Sequence, residues 1–239
     1  MNLLINGING KMGRTIKDLA IQDSYWTNVY GLCRKVTMPT DDLKFDIILD
    51  FTHESALDRV LQIGLDRKVP IIIGTTGYNE AQLQKIKYAS TEIPILHGTN
   101  MSLGMNLLFA LVEQTARILG DDVDIEVIES HHNRKKDAPS GSATTIVESI
   151  EKGLGEVRHH KYGRQGECPR KKGEIGIHAI RGGNIVGYHE ANFIGGLESI
   201  KICHEAYDRK VFASGALTAA KFIMHKESGL YSMKDVLNI

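Results

Sequence analysis

The chain has 239 residues, 42% of them hydrophobic and 24% charged, with a formal net charge of zero. That length buries a proper core as one large domain or two small ones, and the neutral balance excludes a global field drawing in nucleic acid or an anionic membrane. Three widely separated cysteines, Cys33, Cys168 and Cys203, argue against a disulfide framework and fit a reducing, cytoplasmic setting.

Met1 to Gly7 does not read as a signal peptide, and no run approaches the length of a membrane span. Residues 2–6 read instead as a short buried strand. Gly7-Ile8-Asn9-Gly10-Lys11-Met12-Gly13 follows and opens an amphipathic helix, with Ile16, Leu19 and Ala20 spaced to face a core. Glycines at such a turn let the backbone approach a pyrophosphate, which the helix N-terminus then stabilises. The spacing is Gly-x-x-Gly-x-x-Gly rather than Gly-x-Gly-x-x-Gly, a weak signal alone. A second strand at the right distance, Val29–Leu32, strengthens it. An acidic residue usually ends that strand and holds the ribose of NAD, but here Cys33-Arg34-Lys35 stands in its place. Two cations without a carboxylate suit the 2′-phosphate of NADP, and a plain surface basic pair fits equally well.

The alternation continues with strand 45–51, helix 55–67, strand 69–73, helix 79–89 and strand 93–96. Near-continuous apolar strands between helices predict a Rossmann-type, doubly wound parallel sheet covered on both faces. Its strand ends, Gly74-Thr75-Thr76-Gly77 and Gly98-Thr99-Asn100-Met101-Ser102, would line a cofactor crevice.

After this the pattern changes. Residues 103–119 predict an apolar helix buried between two lobes, and 123–128 a strand. Next comes Glu129-Ser130-His131-His132-Asn133-Arg134-Lys135-Lys136-Asp137-Ala138-Pro139-Ser140-Gly141-Ser142, which leads into a helix over 142–154. Two imidazoles, three fixed cations and a Pro-Ser-Gly turn before a helix offer positive charge, a group titrating near neutrality and an anion cradle. Taken as a charge run alone, the stretch is a solvated loop. Glu126 and Glu129 precede the histidines on a strand, pointing to opposite faces from their neighbours, so a glycosidase-type carboxylate pair is not indicated. A basic loop over 156–173 precedes three strand-like runs, 174–181, 185–193 and 197–207, separated by turns at Arg181-Gly182-Gly183-Asn184 and Gly195-Gly196. Consecutive strands joined by tight turns predict a mixed or antiparallel sheet in an α+β lobe. A last apolar helix over 211–225 is expected to return to the first lobe. The expected domains are therefore 1–102 with 209–239, for the dinucleotide, and 103–208, for substrate. His159, His160, His178, His189 and His204 lack metal-ligand spacing, and no metal site is expected.

These residues resemble the bacterial 4-hydroxy-tetrahydrodipicolinate reductase (dihydrodipicolinate reductase) family of lysine and diaminopimelate biosynthesis, over essentially the whole chain. The most specific match runs from Glu129 through His131, His132, Lys135, Asp137 and Pro139 to Gly141. Gly7–Gly13, Asp50-Phe51-Thr52, Gly74–Gly77 and Ile177–Gly183 support it in order. The resemblance implies an oxidoreductase using NADPH or NADH on a small dicarboxylate, as a homotetramer with subunit contacts in the strands after Gly173. It implies that His131 is the acid/base residue and Lys135 a proton donor, and that His132, Gly141 and Ser142 hold substrate. Gly7, Ile8, Asn9, Gly10, Lys11, Met12, Arg34, Gly74, Thr75, Thr76, Gly98, Thr99, Asn100 and Met101 match cofactor-contacting segments. Three positions depart from the family's pattern: Ser142, where threonine is usual; His97-Gly98-Thr99, where small residues are usual; and Cys33, in place of a common acidic residue. The last weighs against a preference for NADH. An amino-acid dehydrogenase of similar build would not need the His-His-x-x-Lys and Pro-Ser-Gly pairing, and a non-catalytic redox sensor would bind cofactor without turnover.

Overall fold

A computed structural model describes residues 1–36 and 38–239. In chain order, β1 (Asn2–Asn6), α1 (Lys11–Ile21), β2 (Asn28–Leu32), β3 (Ile47–Asp50), α2 (Leu57–Arg67), β4 (Ile71–Ile73), α3 (Glu80–Ala89) and β5 (Pro94–His97) come first. They are followed by α4 (Leu103–Leu119), β6 (Asp124–His131), α5 (Gly141–Leu154), β7 (His160–Tyr162), β8 (Ile175–Arg181), β9 (Gly187–Ile194) and β10 (Ser199–Ala206). The chain closes with α6 (Lys210–Ile223), β11 (Gly229–Tyr231) and α7 (Met233–Leu237). Contacts divide these elements into two compact units, Met1–Leu103 with Lys210–Ile239, and Gly104–Arg209.

The first unit is a six-stranded sheet in the order β11-β5-β4-β3-β1-β2, with every pairing parallel. Alternation along β1 sends Leu3 and Ile5 into one core and Leu4 into another, so both faces of the sheet are covered. Helices α1 and α6 close the first face, where Ile16, Ala20, Ala216, Leu217 and Ile223 pack. Helices α2 and α3 close the second, through Leu57, Val60, Leu61, Ile63 and Ile86. The sequence places their ends: Asn79 and Gln82 form a reciprocal capping box at the start of α3, and α2 stops where Lys68 turns left-handed. Strand β11 and helix α7 are not among the sequence-predicted elements. Three residues of strand and five of helix carry too little periodicity to register, and pairing with β5 is what defines β11.

The second unit is a five-stranded mixed sheet, β10-β9-β6-β8-β7, with β6 at its centre. Strands β6, β8 and β7 run parallel, while β9 is antiparallel to both β6 and β10. Helices α4 and α5 bring Leu108, Phe109, Val112, Ile146, Val147 and Ile150 onto one face, over Ile125, Val127, Ile175, Ile177, Ala191 and Phe193. Two differences from the sequence expectation matter. Strand β6 runs on to His131, because it pairs through that residue with Arg181 of β8. And β8 and β9, read as neighbours across a tight turn, are separated by β6, so residues 182–186 cross its C-terminal end. Among the described residues no helix is long and apolar enough to cross a membrane, and no group of three or more His, Cys, Asp or Glu is arranged to hold a metal ion.

Candidate functional site

In the first unit all five strands β1–β5 point their C-terminal ends to one edge, and every predicted cofactor segment lies there. The chain switches sides at β1, which has β2 on one flank and β3 on the other, and ligands settle outside such a switch point. A cleft of about 910 Å³ opens at that place, within the range of ligand sites, lined by Asn6, Gly7, Asn9, Gly10, Cys33, Arg34, Lys35, Phe51, Thr52, His53, Ser55, Ala56 and Arg59. Among the described lining residues there are three fixed cations and no carboxylate. Gly7 has φ +88°, and a Cβ there would lie 2.7 Å from Thr52 Cγ2 and 2.9 Å from the Phe51 carbonyl oxygen. The loop thus needs glycine twice over, for its backbone angle and for its approach to the β3 end.

Beneath this loop Asp50 is buried at 1% exposure. It accepts from Asn6 Nδ2 at 2.6 Å, Thr52 Oγ1 at 2.7 Å and Thr75 Oγ1 at 2.6 Å. Burial pushes its carboxyl above the ordinary value, and the three donors offset this only in part. Thr75 Oγ1 also accepts from the Thr52 N–H at 2.8 Å, tying the ends of β3 and β4 together. The predicted residues therefore sort into kinds. Gly7, Asn9, Gly10 and Arg34 line the cleft, and Lys11, Thr76 and Thr99 are exposed on the same edge. Ile8, Met12 and Met101 turn their side chains to the core, while Gly74 sits against the Phe51 ring. Gly98 follows β5 directly, and Asn100 Oδ1 caps the Ser102 N–H at 2.9 Å. Arg59 was not singled out from sequence, and Asp50-Phe51-Thr52 and Thr75 were quoted as motif residues without the hydrogen-bond network that joins them. An Asp at a strand end, with threonines at neighbouring strand ends, was the available signal.

In the second unit His131 stands at the C-terminal end of β6 and shares a face with Glu129, two residues back. Glu129 is fully buried, at 0% exposure, and ionised. Burial would raise its carboxyl, but hydrogen bonds from His131, Arg181 and the Ser140 N–H outweigh that and hold it at about 2. Arg181 grips it bidentately, Nη1 to Oε2 at 2.8 Å and Nη2 to Oε1 at 2.7 Å. The Ser140 N–H donates to Oε1 at 3.0 Å. His131 Nδ1 donates to Oε2 at 2.6 Å. The His189 ring packs edge-on against His131, with centroids 5.1 Å apart, and desolvation with the neighbouring His131 pushes His189 down to about 4. Ser140 Oγ accepts the Ala143 N–H as the N-cap of α5 and meets His189 Nε2 at 3.1 Å.

The loop after His131 is fastened to the crossing connection. The Gly182 N–H donates to the His131 carbonyl at 2.9 Å, and Arg134 Nη2 to Asn184 Oδ1 at 2.9 Å. Lys135 Nζ pairs with Asp137 at 2.8 Å. His132 Nε2 accepts from Arg209 Nη2 at 3.1 Å, so its proton resides on Nδ1; burial, then Arg134 and Arg209, lower its basicity. Gly141 and Ser142 form the first turn of α5, where backbone N–H groups precede any helical acceptor. The structure thus brings His131, His132, Lys135, Gly141 and Ser142 into one loop-and-helix cluster, and adds Glu129, Ser140, Arg181 and His189 beneath it.

Comparison with known proteins agrees with this geometry. Residues 1–101 match the family model described as dihydrodipicolinate reductase, N-terminus, and 104–237 the model described as dihydrodipicolinate reductase, C-terminus. A 4-hydroxy-tetrahydrodipicolinate reductase of Alkaliphilus oremlandii is 66% identical over 100% of this chain and 99% of its own. One from Caldanaerobacter subterraneus is 44% identical over 99% of this chain and 98% of its own. The solved structure of a dipicolinate-bound dihydrodipicolinate reductase from Paenisporosarcina sp. TG-14 covers 97% of each chain, with a TM-score of 0.76 at 23% identity, and shares the fold. Both halves match in order, and the Alkaliphilus oremlandii relative shares about two-thirds of its residues with it along its whole length. This chain belongs to the dihydrodipicolinate reductase family.

Proposed function

We propose that this protein reduces 4-hydroxy-tetrahydrodipicolinate to tetrahydrodipicolinate with NADPH or NADH, in lysine and diaminopimelate biosynthesis in the cytoplasm. The first-unit cleft fits a dinucleotide: a glycine turn that tolerates no Cβ, a helix start behind it, and Arg34, Lys35 and Arg59 in its lining. The bound nicotinamide supplies the hydride. What the protein adds is a proton and a grip on two carboxylates. His131 presents a ring anchored through Nδ1, with Nε2 as the exchangeable site, and Lys135 brings a cation and a proton four residues on. The first turn of α5, with His132, Gly141 and Ser142, suits a carboxylate.

The observation that carries this reading is the anchored His131 beside Lys135 and the start of α5. General acid catalysis is worth about a hundred- to ten-thousandfold. His131→Gln and Lys135→Met should cut turnover on that scale while NADPH binding, measured by calorimetry, stays near wild type. Changes at His132 or Ser142 should act on KM. Near-normal rates in both catalytic variants would reduce the cluster to a binding surface. The homotetramer belongs to the same proposal; light scattering at micromolar concentration should give four chain masses, and a monomer mass would remove it.

A further inference from the structure

We propose that Glu129 is the positioning residue of this site, fixing the tautomer and direction of the His131 ring so that Nε2 is the atom that exchanges a proton with substrate. The inference rests on the reading of His131 as the acid/base group. It begins from strand geometry: residues two apart on β6 share a face, so Glu129 stands directly behind His131. The carboxylate cannot turn away, because Arg181 holds both oxygens and the Ser140 N–H a third lone pair. One direction remains, and it meets His131 Nδ1 at 2.6 Å. An ionised carboxylate only accepts, so Nδ1 must carry the hydrogen and Nε2 is left with the lone pair whenever the ring is neutral.

The surroundings prepare Nε2 for that part. It faces Gly187, where even a methyl group would come to 3.3 Å, so the absence of a side chain keeps the space before it open. His189 buttresses the ring edge-on, and its own Nε2 is occupied by Ser140 Oγ. The same Ser140 ties Glu129 by its N–H and caps α5 by its hydroxyl, so the proton-exchanging ring and the helix start are set by one residue.

The test compares Glu129→Gln, Glu129→Asp, His131→Gln and the double variant Glu129→Gln/His131→Gln. Glu129→Asp keeps a negative charge before Arg181 and so protects the fold, while withdrawing the carboxylate from His131. Turnover, NADPH affinity by calorimetry, and the His131 tautomer by ¹⁵N NMR of histidine-labelled protein are measured on each. Both Glu129 variants should lose turnover by at least about a hundredfold with NADPH affinity kept, as expected when a ring is left in the wrong tautomer. The wild-type spectrum should show Nδ1–H, and the variants a mixture. The double variant should be no slower than His131→Gln, since Glu129 acts through that ring. If the Glu129 variants keep turnover while His131→Gln loses it, Glu129 is no positioning residue and the reading of His131 survives. If His131→Gln also keeps turnover, that reading falls first. Loss of NADPH affinity in step with turnover in Glu129→Asp would assign Glu129 to core support alone and overturn the proposal.

Discussion

Replacing Arg181 by methionine tests the electrostatics under the site most directly. The side chain keeps its length and apolar stem but loses the guanidinium that grips Glu129 at 2.7 and 2.8 Å. Glu129 has no exposed surface, so its charge would be left with two donors, His131 Nδ1 and the Ser140 N–H. Breaking a buried pair on one side costs about 3–5 kcal/mol. A second route gives a similar size: the carboxyl sits at about 2 against an ordinary 4.5, a gap worth about 3 kcal/mol of stability. Because the folded value is the lower one, that stability is fully present above pH 4.5 and is lost as pH falls toward 2. In the variant burial dominates, the carboxyl protonates at higher pH, and the folded state is relieved by acid. The deficit should therefore narrow from about 3–5 kcal/mol at pH 7 to about 1 kcal/mol at pH 3. The two units call for a local probe, so hydrogen exchange of β6 and β8 amides is the assay. A deficit that does not change between pH 7 and pH 3, or one below about 1 kcal/mol at pH 7, would refute the reasoning.

Gly7→Ala forces an L residue to φ +88° and places a methyl against Thr52 and the Phe51 carbonyl. It should cost about 1–3 kcal/mol in the first unit, read in urea by the fluorescence of Trp26, and weaken cofactor binding; a wild-type midpoint would show that the loop relaxes freely. Arg34→Ala should raise KM for NADPH about ten- to a hundredfold and spare NADH, since one charge-assisted contact is worth about 1.5–3 kcal/mol. Equal effects on both cofactors would show that Arg34 does not read the 2′-phosphate.

Apart from β11, the parallel sheet was legible because its central strands are short apolar runs, as in Ile71-Ile72-Ile73, and the helices between them are periodic. The mixed sheet was legible only as strands. Nothing local says that Gly182-Gly183 spans a third strand rather than turning a hairpin, since that depends on β6 pairing with both β8 and β9 across the chain. β7 was read as part of a basic loop: His160-Lys161-Tyr162 has strand geometry only because β8 lies beside it. At the site, the histidines, the lysine and the Pro-Ser-Gly turn stood out by composition. Glu129 was quoted as the start of the motif but given no role beyond half of a carboxylate pair with Glu126, although an alternating strand puts it beside His131. Its buried partner, Arg181, was quoted for its motif and not for its charge, because charge pairing across 52 residues leaves no periodic trace.

The central place of β6 also sets a schedule. Its first support is local, the Ser140 N–H, 11 residues on; the guanidinium that neutralises Glu129 lies 52 residues on, and β9 follows later still. At about 5–20 residues per second, a ribosome delivers Arg181 some 3–10 s after Glu129. During that interval the strand bearing His131 has an acidic group where its core should be, and neither of its long-range edges is paired. The Glu129–His131 pair thus waits for its charge partner well after its own strand has been made, and a nascent chain stalled before Arg181 holds that histidine in an unfinished strand.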